Sequence, residues 1–263
     1  MNWMKYRFIY MAISLLVISV GIFSIIKWGF KIGVDFTGGV VLEEKFENGE
    51  TKTFKYGQLS ESELIKIRED FKSKKAVEVR YENVGPLVGP ELIKKTITAL
   101  IISATLILLW VAYQFKSIKF GISATLATIH DLLVLLGSFS LLGHFFGAEI
   151  DFLFVTAMLT VLSFSVHDTI VVYDRIRESQ KKDRKNNIEN LANEALSQTM
   201  VRSLNNSFTI IFMLVALILM GGDSVRWFSV ALLIGTISGT YSSPFVAVPI
   251  LVTWDKMQNK LKR

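Results

Sequence analysis

The chain has 263 residues, of which 51% are hydrophobic and 20% charged, with a formal net charge of +6 and no cysteine. Its charges cluster and leave long neutral gaps, and its mean hydropathy is +0.43; this pattern excludes an ordinary soluble enzyme, a disordered tail and a disulfide-rich module. Without cysteine there is no thiolate metal site or Cys nucleophile, the three histidines (His130, His144, His167) lack zinc-ligand spacing, and no Gly-x-x-x-x-Gly-Lys phosphate loop occurs, so neither metal nor cofactor is expected.

A bilayer core needs about 20 apolar helical residues to cross it. Residues 8–26 form the first such run. Lys5 and Arg7 precede it as in a signal peptide. The apolar core is too long for one, and Lys27-Trp28-Gly29-Phe30-Lys31 is no small-residue cleavage site, so the run reads as an uncleaved anchor. Residues 30–95 are the sizeable soluble part. Residues 40–46 predict a strand, Glu47-Asn48-Gly49-Glu50 a hairpin turn and 51–56 the return strand. Ser60 and Glu63 form a capping box opening a helix to about residue 74, and 76–81 alternates like another strand. Such a small α+β unit has a marginal core and is expected to lean on a partner or the membrane surface. Two glycine-rich pieces flank it, Gly33-Val34-Asp35-Phe36-Thr37-Gly38-Gly39 and Val84-Gly85-Pro86-Leu87-Val88-Gly89-Pro90. They read as turns joining helices to a domain or as a hinge, with Asp35, Gly38 and Gly39 as candidate hinge residues.

Five further apolar runs follow: 96–115, 120–142 with Asp131, 152–173 with Asp168, 203–222, and 227–254 with Pro244 and Pro249 as kinking positions. The fold class expected is an integral membrane protein with six transmembrane helices and one small extracytoplasmic α+β domain between the first and second. The division is 1–29 (tail and first span), 30–95 (domain), 96–254 (five-helix bundle) and 255–263 (basic tail). Lys and Arg set orientation. The N-terminal tail has 2, loop 116–119 has 2, segment 174–202 has 7 and the tail after Trp254 has 4, against none in 143–151 and one in 221–226. Both termini are therefore expected on the cytoplasmic side of a cell membrane. The net positive charge then follows from topology and from anionic lipid, and nucleic-acid binding is not expected.

Ionisable side chains within a span cost about 2.5–3.5 kcal/mol on insertion scales and need a reason to be there. Asp168 follows an uncharged run and has Ser165 at i−3, which suits an ion-carrying carboxylate or an interfacial acid paired for packing. Arg202 opens the fifth span at similar depth; it reads as the switchable partner of Asp168 or as a snorkelling arginine. Asp131, after His130, reads equally as a relay member or as part of a polar helix–helix contact. Gly235, Ser238, Gly239, Ser242 and Ser243 read as close-packing residues.

The segments GVDFTGG (33–39), 84–90, His130-Asp131, SFSVHDTIVVYDRIRE (163–178), QTMVRSLNN (198–206) and GTYSS (239–243) resemble the SecD/SecF family of bacterial protein-export membrane proteins, in its SecF-type half, over nearly the whole chain. One span, a soluble domain and five spans is also similar to half of a resistance-nodulation-division transporter. The resemblance implies a complex with SecD, association with the SecYEG channel and SecA, and use of a proton or sodium gradient to move preproteins. It maps the family's fourth-span acid onto Asp168 and its fifth-span arginine onto Arg202. His167 stands where the family usually has Asn, and Asn205-Asn206 where a Thr-Ser-type pair is usual. Two rivals remain: half of a small-molecule or lipid exporter, and a passive translocase scaffold.

Overall fold

The computed structural model describes residues 2–85, 88–183 and 186–261. A chain in lipid must satisfy its backbone internally, so apolar runs become helices. The polar residues beside them continue the same helices into water. A 3-10 turn at Trp3–Tyr6 leads into α1 (Arg7–Trp28). A short α2 (Val34–Thr37) precedes the external strands β1 (Gly39–Lys45) and β2 (Thr51–Tyr56), helix α3 (Glu61–Ser73) and β3 (Val77–Val84). The chain then re-enters the apolar layer with α4 (Val88–Phe115), α5 (Ile118–Phe146), α6 (Phe152–Lys182) and α7 (Ile188–Met220). The last passage comprises α8 (Asp223–Ser242), a π turn (Ser243–Ala247) and α9 (Val248–Leu261).

Among the described residues six helical segments are long and apolar enough to cross a membrane, the last being Asp223–Gln258 taken through its π turn. That turn contains Pro244, whose missing N–H loosens the regular ladder. Helices overrun the expected spans at several ends. α4 already begins at Val88, and the segment expected as loop 174–202 is largely the end of α6 and the start of α7. Of the second glycine-rich piece, Pro86 and Leu87 lie outside the described residues.

The external unit is a three-stranded antiparallel sheet in the order β2-β1-β3, with a register shift at Glu43/Glu44. Ser60 caps α3: its side chain accepts from Glu63 N–H while the Glu63 carboxylate accepts from Ser60 N–H. Val40, Leu42, Phe71 and Ala76 form the buried centre, bordered by Phe46, Phe54, Tyr56 and Ile67. The expected support is a partner or the membrane surface; within this chain the unit meets the bundle itself, where Lys55 of β2 pairs with Glu149 at 2.6 Å and Glu149 also meets Lys31 at 3.2 Å.

Among the described residues two apolar cores lie in the helical layer. The one toward the chain termini joins Met4, Phe115, Phe120, Tyr173, Ile188, Leu196 and Leu251. The one toward the external unit joins Phe36, Leu135, Phe139, Phe154, Met158 and Val161. α5, α6 and α8 are the inner helices, whereas α1, α4 and α7 expose most of their apolar side chains. Close helix approach is made by glycine. A Cβ on Gly235 would overlap the Val161 methyls, and a Cβ on Gly137 would lie 2.5 Å from Gly21 Cα.

Candidate functional site

α8 lies between two acids and turns a different polar stripe to each. Ser238 and Ser242 stand at i and i+4, on one face. Their hydroxyls donate to Asp131 Oδ1 and Oδ2, each at 2.6 Å. His130 Nδ1 lies 3.0 Å from Asp131 Oδ1. Asp131 is fully buried, yet each of its oxygens accepts a serine hydroxyl, as a buried carboxylate requires. Two of the serines read as packing residues are therefore also hydrogen-bond donors to Asp131. Their i, i+4 spacing was visible in the sequence, but the acid they serve is more than a hundred residues away.

The second stripe, Thr236, Gly239 and Thr240, faces Asp168. Together with Phe164, His167, Asn206, Ser207 and Ile210 these residues line a crevice of about 20 Å³ beside the carboxylate, room for about one water or one bare cation. Asp168 is half-buried at its wall. Ser203 donates to Asp168 Oδ2 at 2.9 Å, and Thr240 donates to Ser207 at 2.7 Å. Thr236 Oγ1 and Ser165 Oγ are buried without a hydrogen-bond partner among the described residues. Just beyond, Thr169 and Ser243 hydroxyls lie 2.9 Å apart. The site can thus offer one carboxylate and several neutral oxygens to a small cation or a water.

Arg202 is not at that wall. Adjacent residues on a helix point about 100° apart. With Ser203 turned toward Asp168, Arg202 is directed to the outside of the bundle, where it is exposed together with Asn205. No ion pair joins Arg202 to Asp168 among the described residues, so the direct pairing expected from their similar depth is replaced by the hydroxyl of the next residue. His167 borders the same crevice.

Sequence reasoning missed Tyr173 of the VVYDRIRE stretch. It is fully buried, donates to Ser123 at 2.7 Å and to the Ala247 carbonyl at 3.2 Å, and so binds α6 to α5 and to the π turn. A lone tyrosine at the end of an apolar run carried no sequence signal for this.

The candidate hinge residues occupy the outer end of the bundle. Asp35 Oδ2 accepts from Phe152 N–H at 2.8 Å, at the first residue of α6. Asp151 is the N-cap of the same helix and accepts from Phe154 N–H at 2.8 Å. Burial holds the Asp151 carboxyl above its ordinary range; the Phe154 hydrogen bond and Lys55 pull it back, and Asp35 adds to the rise. Gly38 and Gly39 have φ of +76° and +149°, a backbone that favours glycine, and lead directly into β1.

A family described as "Protein export membrane protein SecD/SecF, C-terminal" matches residues 64–257. Protein translocase subunit SecF of Thermobaculum terrenum is 38% identical, covering 95% of this chain and 93% of that protein. The SecF subunit of Anaerolinea thermophila is 34% identical, covering 100% and 97%. Among solved structures, SecDF from Thermus thermophilus, described as a translocon-associated membrane protein, superposes with a TM-score of 0.87 at 30% identity over 97% of this chain. SecDF in its super-membrane-facing form gives 0.80, also at 30% identity. This chain spans only about 40% of the length of those SecDF chains. On the length and identity of these matches, and on six apolar helices with one small sheet between the first and second, the chain belongs to the SecD/SecF family of protein-export membrane proteins.

Proposed function

We propose that the chain is the SecF-type subunit of a gradient-driven accessory to protein export, which moves no covalent bond itself. It works in a cell membrane with both termini cytoplasmic. SecD supplies the complementary half, and the pair acts on preproteins at a SecYEG channel supplied by SecA. The observation that carries this reading is the half-buried Asp168 carboxylate in a spanning helix, facing a crevice lined by hydroxyls. An acid in that setting is costly unless an ion visits it. Arg202 and Asn205 support a second half: Arg202 stands exposed where the apolar part of α7 begins and Asn205 one turn into it, where a protein neighbour solvates them better than lipid does. A unit charge crossing about 100 mV releases about 2.3 kcal/mol, so few ions per cycle suffice to move a small domain.

Asp131 favours a structural part for itself within this scheme, because its carboxylate is already bonded to Ser238, Ser242 and His130. The deciding experiment is gradient-dependent export with Asp168→Asn and Arg202→Met, complex amounts being measured alongside. Loss of the gradient-dependent component in both variants is expected. Full export from both at wild-type complex levels refutes the motor and leaves a passive brace. Export-neutral deletion with altered drug or lipid efflux would instead identify half of a small-molecule exporter.

A further inference from the structure

The GVDFTGG segment is built into the membrane bundle on one side and released from it on the other. Ile150 N–H donates to the Lys31 carbonyl and Gly33 N–H to the Ile150 carbonyl, both at 2.8 Å, a short parallel bridge. Phe36 is buried in the outer apolar core beside Phe139 and Phe154. Gly89 of α4 packs so closely on the Phe36 backbone that no Cβ could be added there. α2 is thus fastened to the bundle by packing, and the chain leaves it at Gly38, whose positive φ favours glycine; Gly39 is already the first residue of β1, paired with Val84.

One bond in this joint reaches the helix of the ion site. The first N–H groups of a helix have no partner within it. Asp151 satisfies one from within its own segment, whereas Asp35 satisfies another from the external-domain side. α6 then runs unbroken from Phe152 to Asp168, about 24 Å at 1.5 Å per residue. A continuous helix transmits displacement along its axis far better than a loop does.

We propose that Asp35 is the coupling residue: its carboxylate clamps α6 to the root of the external domain, so that movement of the Asp168 helix is delivered to β1 through the turn at Gly38. Asp35 acts through α6 and not on the ion, so it is a positioning residue. The inference rests on the reading of Asp168 as the ion-visited group. It gives the DFTGG acid a mechanical task distinct from flexibility.

The hydrogen bond can be cut from either partner. Asp35→Ala removes the acceptor. Phe152→Pro removes the donor at a first-turn position where proline is tolerated, and Asp151 before it is already extended, with φ −120° and ψ −174°. Both variants, their double and Asp35→Asn are compared in vesicles holding the full chain with its SecD-type partner, reading preprotein export and ion-gradient collapse separately. Asp35→Ala and Phe152→Pro should each lose gradient-stimulated export while ion passage stays at the wild-type rate. The double should be no worse than either single, and Asp35→Asn, which keeps a carbonyl acceptor, should recover most export. Asp168→Asn should lose both readouts. Wild-type export from Asp35→Ala, parallel loss of ion passage, or an additive double each overturns the coupling role while Asp168→Asn stays defective. An Asp168→Asn variant with both readouts intact overturns the ion reading itself, and the coupling role with it.

Discussion

Gly235→Ala tests whether the inner helices are set by backbone contact. The added Cβ would overlap Val161 Cγ2 and lie 2.8 and 2.9 Å from Cγ1 and Cβ of the same valine. Carbon atoms prefer about 3.5–4.0 Å, so α6 and α8 must part by about 1.5 Å or Val161 must shift, and overpacking of this kind costs about 1–3 kcal/mol. For a chain of this size that lowers the thermal midpoint by about 2–12 °C. Val161→Ala alone removes two methyl groups and should cost about 1–2 kcal/mol. In the double variant the alanine methyl enters the space the valine has left. The double should therefore melt above Gly235→Ala alone, a coupling of opposite sign to the two losses. The assay is thermal unfolding of the full chain in detergent, followed by tryptophan fluorescence. Refutation would be a Gly235→Ala midpoint equal to wild type, or a double-variant midpoint at the sum of the single losses. The consequence for the site is direct, because Gly239, one turn on, faces Ser165 and borders the Asp168 crevice.

Two further outcomes are expected. Ser238→Ala or Ser242→Ala each removes a hydrogen bond to the buried Asp131 carboxylate and should destabilise the chain by about 1.5–3 kcal/mol; adding Asp131→Asn, which removes the charge to be solvated, should shrink that loss in the same melting assay. In the external sheet Glu44 is buried, and its carboxyl is raised above the ordinary range, by burial first and then by Glu78, with Arg68 opposing. A raised acid stabilises the fold least once it is ionised: the penalty is absent below the ordinary carboxylate range and grows as pH rises through the raised value. Glu44→Gln should therefore stabilise the external unit at neutral pH and lose that advantage in acid, as read by amide hydrogen exchange of β1 at two pH values; an equal effect at both refutes the assignment.

What the sequence made legible was local. The Ser60–Glu63 capping box, the Asn48-Gly49 turn and the centres of the six spans each depend on residues within a few positions of one another, and each stands where expected. The helix ends were less legible, because hydropathy locates lipid contact and not the point where a backbone ladder stops: α6 continues through Asp174, Arg175 and Arg177 into water. β3 starts one residue after the alternation predicts and runs on to Val84, since the shift opposite Glu43/Glu44 is a property of pairing. The two polar stripes of α8 were hidden for a different reason. Serine and threonine in an apolar helix look like small packing residues until the acids on α5 and α6 are brought beside them. For Asp35 the partner is a backbone N–H, a group every residue but proline carries, so composition held no trace of it.

The first span has the outward look of an interchangeable tether, since most of its side chains face away from the protein. Gly21 nonetheless meets Gly137 backbone to backbone, and Ser24 donates at 2.8 Å to Ser140, which in turn donates to the Gly29 carbonyl. It is keyed to α5 like a dovetail. A foreign hydrophobic helix of equal length grafted in its place would keep the polypeptide in the membrane and still leave α5 without its fitted neighbour.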